Sequence, residues 1–181
     1  MGRDAALPLL LSCAFSLLSC ADVPARHVAT VGTTLKAAPG DVFTVVADLE
    51  HWPQWATQVD RMVRQADDAE GRPVWDMHMR QGVMRLVVSE STPPEATRPG
   101  KLVTLLDDDD FSGSWTWTIA QSGSGSDVEA TEDGVIHDPV MRATAHYVVG
   151  YTSSLESFVS DLADHFGEKA SLHKSVSHPD G

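Results

Sequence analysis

The sequence predicts an α+β domain with an antiparallel, meander-like sheet of six or seven strands, two short helices after the first strand and one long C-terminal helix. Three patterns carry this prediction. Residues 58–136 consist of short β-rich runs separated by turns, as in antiparallel sheets. Apolar residues recur at helical spacing in 40–49 and again in 139–166.

The N-terminal part of the domain predicts one strand and two short helices. Residues 28–36 are β-rich and alternate loosely, which indicates a first strand. Pro39 suits the first turn of a helix over 40–49. Pro53 then interrupts regular bonding, so a second short helix or turn is expected there.

Six further runs predict the rest of the sheet. Gln81-Gly82 reads as a tight hairpin. Ser122–Ser126, with the sequence SGSGS, reads as a flexible tip. The predicted strands are 59–66, 73–80, 83–92, 101–107, 114–121 and 127–136.

The C-terminal region predicts a single helix over 139–166. Asp138 suits the N-cap and Pro139 the first helical position, and Gly167 is a natural C-cap. Gly150 lies within the helix, where it costs about 1 kcal/mol relative to Ala and can introduce a kink. Residues 168–181 are expected to form a mobile tail.

The charge balance is strongly acidic. The 181 residues carry 13 Lys and Arg against 26 Asp and Glu, a formal charge of −13. Such a surface repels phosphate backbones, so nucleic acid is not an expected partner. Both cysteines, Cys13 and Cys20, precede the folded body, which excludes disulfides, Cys-ligated zinc and a cysteine nucleophile there.

The first residues predict an export signal. Residues 5–19 form an apolar run of signal-peptide length, too short to span a membrane comfortably. The run ends in Leu17-Leu18-Ser19-Cys20, which resembles a bacterial lipobox. The resemblance implies a signal peptide over 1–19, cleavage before Cys20, lipidation of its thiol and a linker over 20–27. An ordinary signal peptide, or no signal at all, stays open as an alternative.

Localisation follows from that resemblance. It implies an exported protein held at the cell envelope by a lipid on Cys20 rather than by a spanning helix. Ala21 follows the cysteine, which implies sorting to the outer membrane if the host is Gram-negative.

Three short motifs resemble a known family. They are APGDVF at 38–43, VAD at 46–48 and WPQW at 52–55. Together with the element order they resemble the polyketide cyclase/dehydrase-type members of the START-like (SRPBCC, helix-grip) superfamily, over residues 28–167. The resemblance implies a curved sheet gripping the long helix, with an elongated cavity between them. Members bind lipids, sterols, hormones, polyketides or other apolar ligands, and some are enzymes.

Strand parity predicts which side chains face that cavity. Large apolar residues fall on one face of three strands, and Tyr147 and Tyr151 of the helix can orient an apolar ligand through their hydroxyls. The alternative is that these residues fill the core. The candidate ligand-binding residues are Trp75, Met77, Met79, Met84, Leu86, Trp115, Trp117, Ile119, Tyr147 and Tyr151.

The chain lacks a compact catalytic or metal motif. Its eight histidines have no metal-ligand spacing, and Asp107–Asp110 reads as a solvated hairpin tip. No nucleotide-binding fingerprint is present, so no cofactor and no metal is predicted. His146 and Tyr151 are the candidates for an acid or base role if the protein is an enzyme.

Three functions fit these observations. The favoured hypothesis is a non-catalytic, envelope-tethered module that binds or transports a hydrophobic, lipid-like small molecule between sheet and helix. The second is a cyclase or dehydratase acting on an apolar carbonyl compound. The third is a protein-interaction module with a closed cavity and an acidic docking surface. The membrane is contacted only through the lipid anchor in all three, and the sequence leaves the oligomeric state open.

Overall fold

An eight-stranded antiparallel sheet organises residues 23–107 and 110–179, the part of the chain that the computed structural model describes. The predicted signal peptide and Cys20 lie outside these residues. The strand order across the sheet is β2-β3-β4-β5-β6-β7-β1-β8. The strands are β1 (Arg26–Leu35), β2 (Val59–Arg64), β3 (Val74–Met79), β4 (Gly82–Thr92), β5 (Gly100–Asp107), β6 (Phe111–Ser122), β7 (Gly125–Ile136) and β8 (His173–Ser177).

Two helical elements follow β1 as the sequence predicts. Helix α1 (Pro39–Ala47) has Pro at its start and buries Val42, Phe43 and Val46. A 3₁₀ helix (Leu49–Gln54) follows, and its Trp52 indole donates to the Val46 carbonyl at 2.9 Å. None of the described helices is long and apolar enough to cross a membrane.

The C-terminal helix is broken, which corrects the prediction of one long helix over 139–166. The segment comprises α2 (Pro139–Thr144), a π-helical turn (Ala145–Val149) and α3 (Ser153–His165). Gly150 separates them with φ 85° and ψ 145°, a conformation that residues with a Cβ rarely adopt. Residues 139–149, hereafter the α2 segment, leave Tyr147 and Val148 exposed. Helical spacing alone does not show that a stripe is buried.

The sheet has eight strands, where six or seven were predicted. Strand β8 comes from residues 168–181, which were expected to form a mobile tail, and pairs antiparallel with β1 from Val28↔Ser177 to Gly32↔His173. Its side chains are all exposed, so no apolar pattern marks it in the sequence. Pairing supplies hydrogen-bond partners to the open edge of β1.

The core lies between the helices and one face of the sheet, hereafter the inner face. Helix α3 packs on β1 and β7, and α1 packs on β5, β6 and β7. Four rings meet edge to face between α3 and the sheet, one of them from α3 itself, and are called the aromatic core: Trp52, Trp55, Trp117 and Phe158. These rings fill the space between α3 and the middle of the sheet.

Candidate functional site

A carboxylate interrupts the apolar inner face of β7. Val128 and Ala130 are fully buried on this face, and Glu132 is the next residue in the alternation. The Glu132 side chain is only 12% exposed. A buried carboxylate needs hydrogen-bond partners, and neighbouring strands supply them.

Both oxygens of Glu132 accept a short hydrogen bond. The Nε2 atom of His27, at the start of β1, lies 2.7 Å from Oε1. The indole nitrogen of Trp115 in β6 donates to Oε2 at 2.5 Å. His27 is only 1% exposed, so the pair is largely shielded from solvent. Hydrogen bonds to an ionised carboxylate are short and strong, which fits a charged Glu132.

Tyr151 covers this pair from the helical side. Its ring stacks on the His27 ring with centroids 4.4 Å apart and planes 30° apart. Burial raises the pKa of the Tyr151 hydroxyl, and the positive charge of Arg142 opposes this rise. The phenol is therefore protonated at neutral pH and can donate a hydrogen bond. Hereafter His27, Trp115, Glu132 and Tyr151 are the Glu132 cluster.

Two buried polar atoms of this cluster, Nδ1 of His27 and the hydroxyl of Tyr151, have no hydrogen-bond partner among residues 23–107 and 110–179. The same is true of Nε of Arg142, whose positive charge acts on Tyr151. A buried polar group left unpaired costs about 1–3 kcal/mol. Unpaired polar atoms gathered in this way are more consistent with a polar binding site than with a structural hydrogen-bond network.

The sheet beneath the cluster is lined by glycine. Gly113 of β6 and Gly134 of β7 are directly opposite each other, and Gly134 is opposite His27. A Cβ at Gly134 would lie 2.6 Å from the Phe111 ring and 3.1 Å from Cε1 of His27. The glycine therefore lets Phe111 lie directly on the sheet beside the imidazole.

The predicted lining residues fall into three groups. Met77, Leu86, Trp115, Trp117 and Ile119 are buried, and Trp75, Met79, Met84 and Tyr151 are half-buried. Tyr147 is 64% exposed on the α2 segment. Of the ten, Trp115 and Tyr151 belong to the Glu132 cluster. Ligand binding by the ten residues stays a prediction.

Trp75 also borders a separate open cleft of about 330 Å³ between α1, the 3₁₀ helix and the adjoining strands. The guanidinium of Arg64 lies 5.6 Å above the Trp75 ring centroid. Leu49, Val88 and Leu102 contribute to the lining, and the acidic side chains of Asp48 and Glu50 contribute polar groups. The cleft lies under the N-terminal helices rather than under α3.

The two candidates for acid–base chemistry are neighbours in the structure. The ring centroids of His146 and Tyr151 lie 6.1 Å apart, and the His178 ring lies 5.3 Å from Tyr151. The described residues contain no group of three or more His, Cys, Asp or Glu side chains placed to hold a metal ion.

Sequence reasoning missed His27, Glu132 and Arg142. His27 was assigned to the linker, because the first strand was expected to begin at residue 28 and begins at Arg26. The sequence could have predicted that Glu132 faces the core, since it lies on the same face of its strand as Val128 and Ala130. No sequence pattern could have predicted the position of Arg142, because that position depends on the break at Gly150.

A sheet gripped by a C-terminal helix, with polar groups at one end, defines a START-like ligand-binding fold. Residues 26–165 match the model of a family described as polyketide cyclase / dehydrase and lipid transport. The chain belongs to this family.

Solved structures share the fold at low sequence identity. A START superfamily protein from Mycobacterium smegmatis is 17% identical, with a TM-score of 0.57, covering 77% of this chain and 96% of that chain. Norcoclaurine synthase from Thalictrum flavum is 11% identical, with a TM-score of 0.60, covering 91% and 99%. The di-domain ARO/CYC StfQ from the steffimycin biosynthetic pathway is 14% identical, with a TM-score of 0.55, covering 83% and 54%. No curated protein is significantly similar in sequence. At these identities the structures show the fold alone.

Proposed function

We propose that the protein binds a hydrophobic small molecule whose polar end contacts the Glu132 cluster. One observation carries this proposal: the buried Nδ1 of His27 and hydroxyl of Tyr151, unpartnered among the described residues, lie together, within the field of Arg142, at one end of a largely apolar face. Ligand sites are mostly apolar with a few polar groups that fix orientation, and this arrangement fits that description. The family description, which includes lipid transport, supports the same function.

The apolar body of the ligand lies along the methionines of the outer strands. Met62, Met77 and Met84 are in register across β2, β3 and β4, and Met79 follows on the same face. Met62, Met79 and Met84 are half-buried, and Phe111, whose ring centroid lies 6.3 Å from that of His27, also packs against the core. Methionine side chains adapt to irregular apolar shapes, so this surface can accept a ligand without a fixed cavity.

The α2 segment provides the route to the site. It follows β7 directly and carries Arg142, and Gly150 connects it to α3. Its apolar side chains, including Val148 at 78% exposure, contribute little to the core. Displacing this segment from the sheet therefore costs less than displacing α3, and exposes Tyr151, which lies over His27.

Ligand extraction tests the proposal. The full-length chain is purified and analysed by native mass spectrometry, followed by solvent extraction and lipid analysis. We expect a bound apolar compound, with less recovered from Gly134→Ala, because the new Cβ displaces Phe111 and His27. Gly40→Ala is the control, since nothing lies within 4 Å of its Cβ position. Recovery of no compound, with no binding of added fatty acid or fatty alcohol, overturns the proposal.

We further propose that the domain is tethered to the cell envelope through a lipid on Cys20. The lipobox-like Leu17-Leu18-Ser19-Cys20 supports this, and the acidic charge disfavours direct adhesion to anionic lipid. Labelling with radioactive palmitate should mark the wild-type chain and the Cys13→Ala control but not Cys20→Ala. Equal labelling of wild type and Cys20→Ala contradicts the tether.

An acid–base enzyme is the second candidate, favoured by the free Nδ1 of His27 beside the protonated Tyr151 hydroxyl. Such a pair can remove a proton next to a carbonyl while stabilising the oxygen. Deuterium exchange into apolar ketones in heavy water, compared between wild type and His27→Gln, tests this function. Equal exchange rates in the two proteins contradict it.

A further inference from the structure

We propose that the ligand is an apolar carboxylic acid whose carboxyl group is held by His27 Nδ1, the Tyr151 hydroxyl and Arg142 Nε. This inference rests on the proposed function and specifies the chemistry of the ligand's polar end.

The first step concerns the hydrogen on His27. An ionised carboxylate only accepts hydrogen bonds, so the Nε2 atom facing Glu132 Oε1 at 2.7 Å carries the hydrogen. In the neutral imidazole the other nitrogen, Nδ1, is then an acceptor. Trp115 holds the second Glu132 oxygen and fixes the carboxylate in this orientation.

The second step matches the three atoms to a ligand group. The Tyr151 hydroxyl and Arg142 Nε are donors, and His27 Nδ1 accepts from an acid proton. A carboxyl group satisfies all three, because one oxygen accepts from the two donors while the other shares a proton with Nδ1. An alcohol hydroxyl can make the same three hydrogen bonds through its single oxygen, but it carries no charge to pair with Arg142. An ester or ketone has no proton to offer Nδ1. Alcohols, esters and ketones therefore match the site less completely than a carboxylic acid.

The third step is the charge balance. A carboxylate placed near Glu132 without a proton would bring two negative charges together. One proton shared with His27 places a cation between them, and Arg142 supplies the second positive charge. A carboxylate from neutral solution therefore binds with the uptake of one proton. The other titratable or charged groups around His27 are Arg26, Glu132, Asp133, Arg142, His146, Tyr151 and His178.

The first test compares three probes of equal chain length: dodecanoic acid, dodecanol and methyl dodecanoate. Titration into the full-length chain should give about tenfold tighter binding of the acid than of the ester. Tyr151→Phe should weaken the binding of both acid and ester by about tenfold, because either carbonyl oxygen loses the phenol donor while the ring stays on His27. Thr34→Val is the control, since it removes a hydroxyl from an exposed residue of β1.

The second test measures protons. Calorimetry in two buffers of different ionisation enthalpy should show the uptake of about one proton per acid bound at neutral pH. His27→Gln should abolish the uptake, and if this variant does not fold, Arg142→Met should weaken acid binding while leaving the uptake in place.

The outcomes separate the two proposals. Equal affinity for acid and ester, or acid binding without proton uptake, overturns the carboxylic acid assignment and leaves hydrophobic binding intact. If none of the three probes binds and no compound is extracted, both the carboxylic acid assignment and the proposed hydrophobic binding are overturned.

Discussion

The aromatic core and the Glu132 cluster lie on the same face of the same sheet, and they differ in almost every other respect. In the core, Phe158 packs edge to face against Trp52 at 5.5 Å and against Trp117 at 6.5 Å. In the cluster, a carboxylate binds an imidazole, and His27 Nδ1 and the Tyr151 hydroxyl stay unpaired among the described residues, whereas in the core the Trp55 indole nitrogen is unpaired. Trp115 connects the two, since its ring packs 5.2 Å from Phe158 and its nitrogen donates to Glu132.

This difference indicates a division of labour. Dense apolar packing stabilises a fold but leaves no group to recognise a ligand's polar end. Unpaired buried polar atoms reduce stability and are retained where a partner can satisfy them. We therefore expect substitutions in the core to change the free energy of unfolding, and conservative substitutions in the cluster to change binding more than stability.

The largest expected effect is on the core. Phe158→Ala removes the ring that contacts Trp52, Trp55, Trp115 and Trp117, and should lower the free energy of unfolding by about 3–5 kcal/mol. Urea denaturation followed by tryptophan fluorescence measures this. Phe158→Leu should lower the free energy of unfolding much less. An equal loss of stability in the two variants would show that the ring contacts do not contribute to stability.

The second effect lies at the junction of the two regions. Glu132→Ala leaves the Trp115 indole and His27 Nε2 without their acceptor, and should lower the free energy of unfolding by about 1–3 kcal/mol. Glu129→Ala is the matched control on the outer face of β7, where the side chain is 47% exposed. A similar cost for the two substitutions in urea denaturation contradicts a special role for the buried carboxylate.

The third effect concerns the break between α2 and α3. Gly150→Ala forces a Cβ into φ 85°, which costs about 1–2 kcal/mol although nothing lies within 4 Å. Gly40→Ala, at a glycine without a positive φ in α1, should be neutral or slightly stabilising. Thermal unfolding measures both. An unchanged stability of Gly150→Ala would mean that the α2 segment rearranges freely without affecting the core.

The smallest effect is a pH dependence at the edge of the core. A hydrogen bond from Thr152 and then the Lys174 ammonium hold the pKa of Glu156 below its ordinary value of 4.5. The charged carboxylate therefore stabilises the fold above about pH 4.5, and this stabilisation is lost as the pH falls through the lowered pKa. The contribution is under about 1 kcal/mol because the pair is partly exposed.

Urea denaturation at pH 7 and at pH 3 measures this loss, with Glu156→Gln as the comparison. The wild type should lose more stability than Glu156→Gln over this range. An equal loss in the two proteins would contradict the assigned role of Glu156.

Much of the fold could be predicted because local patterns carry it. Pro39 and the apolar spacing after it predict α1, and the short β-rich runs between turns predict β2 to β7. Strand β8 could not be predicted, because all its side chains are exposed and only the open edge of β1 recruits it. Gly150 marked a possible kink, but the exposure of the α2 segment could not be predicted, since Val140 and Tyr147 lie at helical spacing just as Leu155 and Phe158 do.

The candidate site likewise has residues that the sequence predicted and contacts that it did not. Parity placed Trp115, Trp117 and Ile119 on the inner face, where the structure buries them. Tyr151 was singled out on the helix, yet its partner was His27, more than a hundred residues away in sequence. No local pattern pairs residues over that distance, because the pairing depends on β1 lying beside β7.

The sequence by itself determined the α+β class, the family and the apolar character of the inner face. These properties follow from the local periodicity of side chains and from short motifs, which are readable without a third dimension. Only the tertiary structure decided that core residues fill the space under α3 and that His27, Glu132, Tyr151 and Arg142 share one end of it. The physical reason is that strand register and the break at Gly150 set those contacts, and both arise from packing between distant segments.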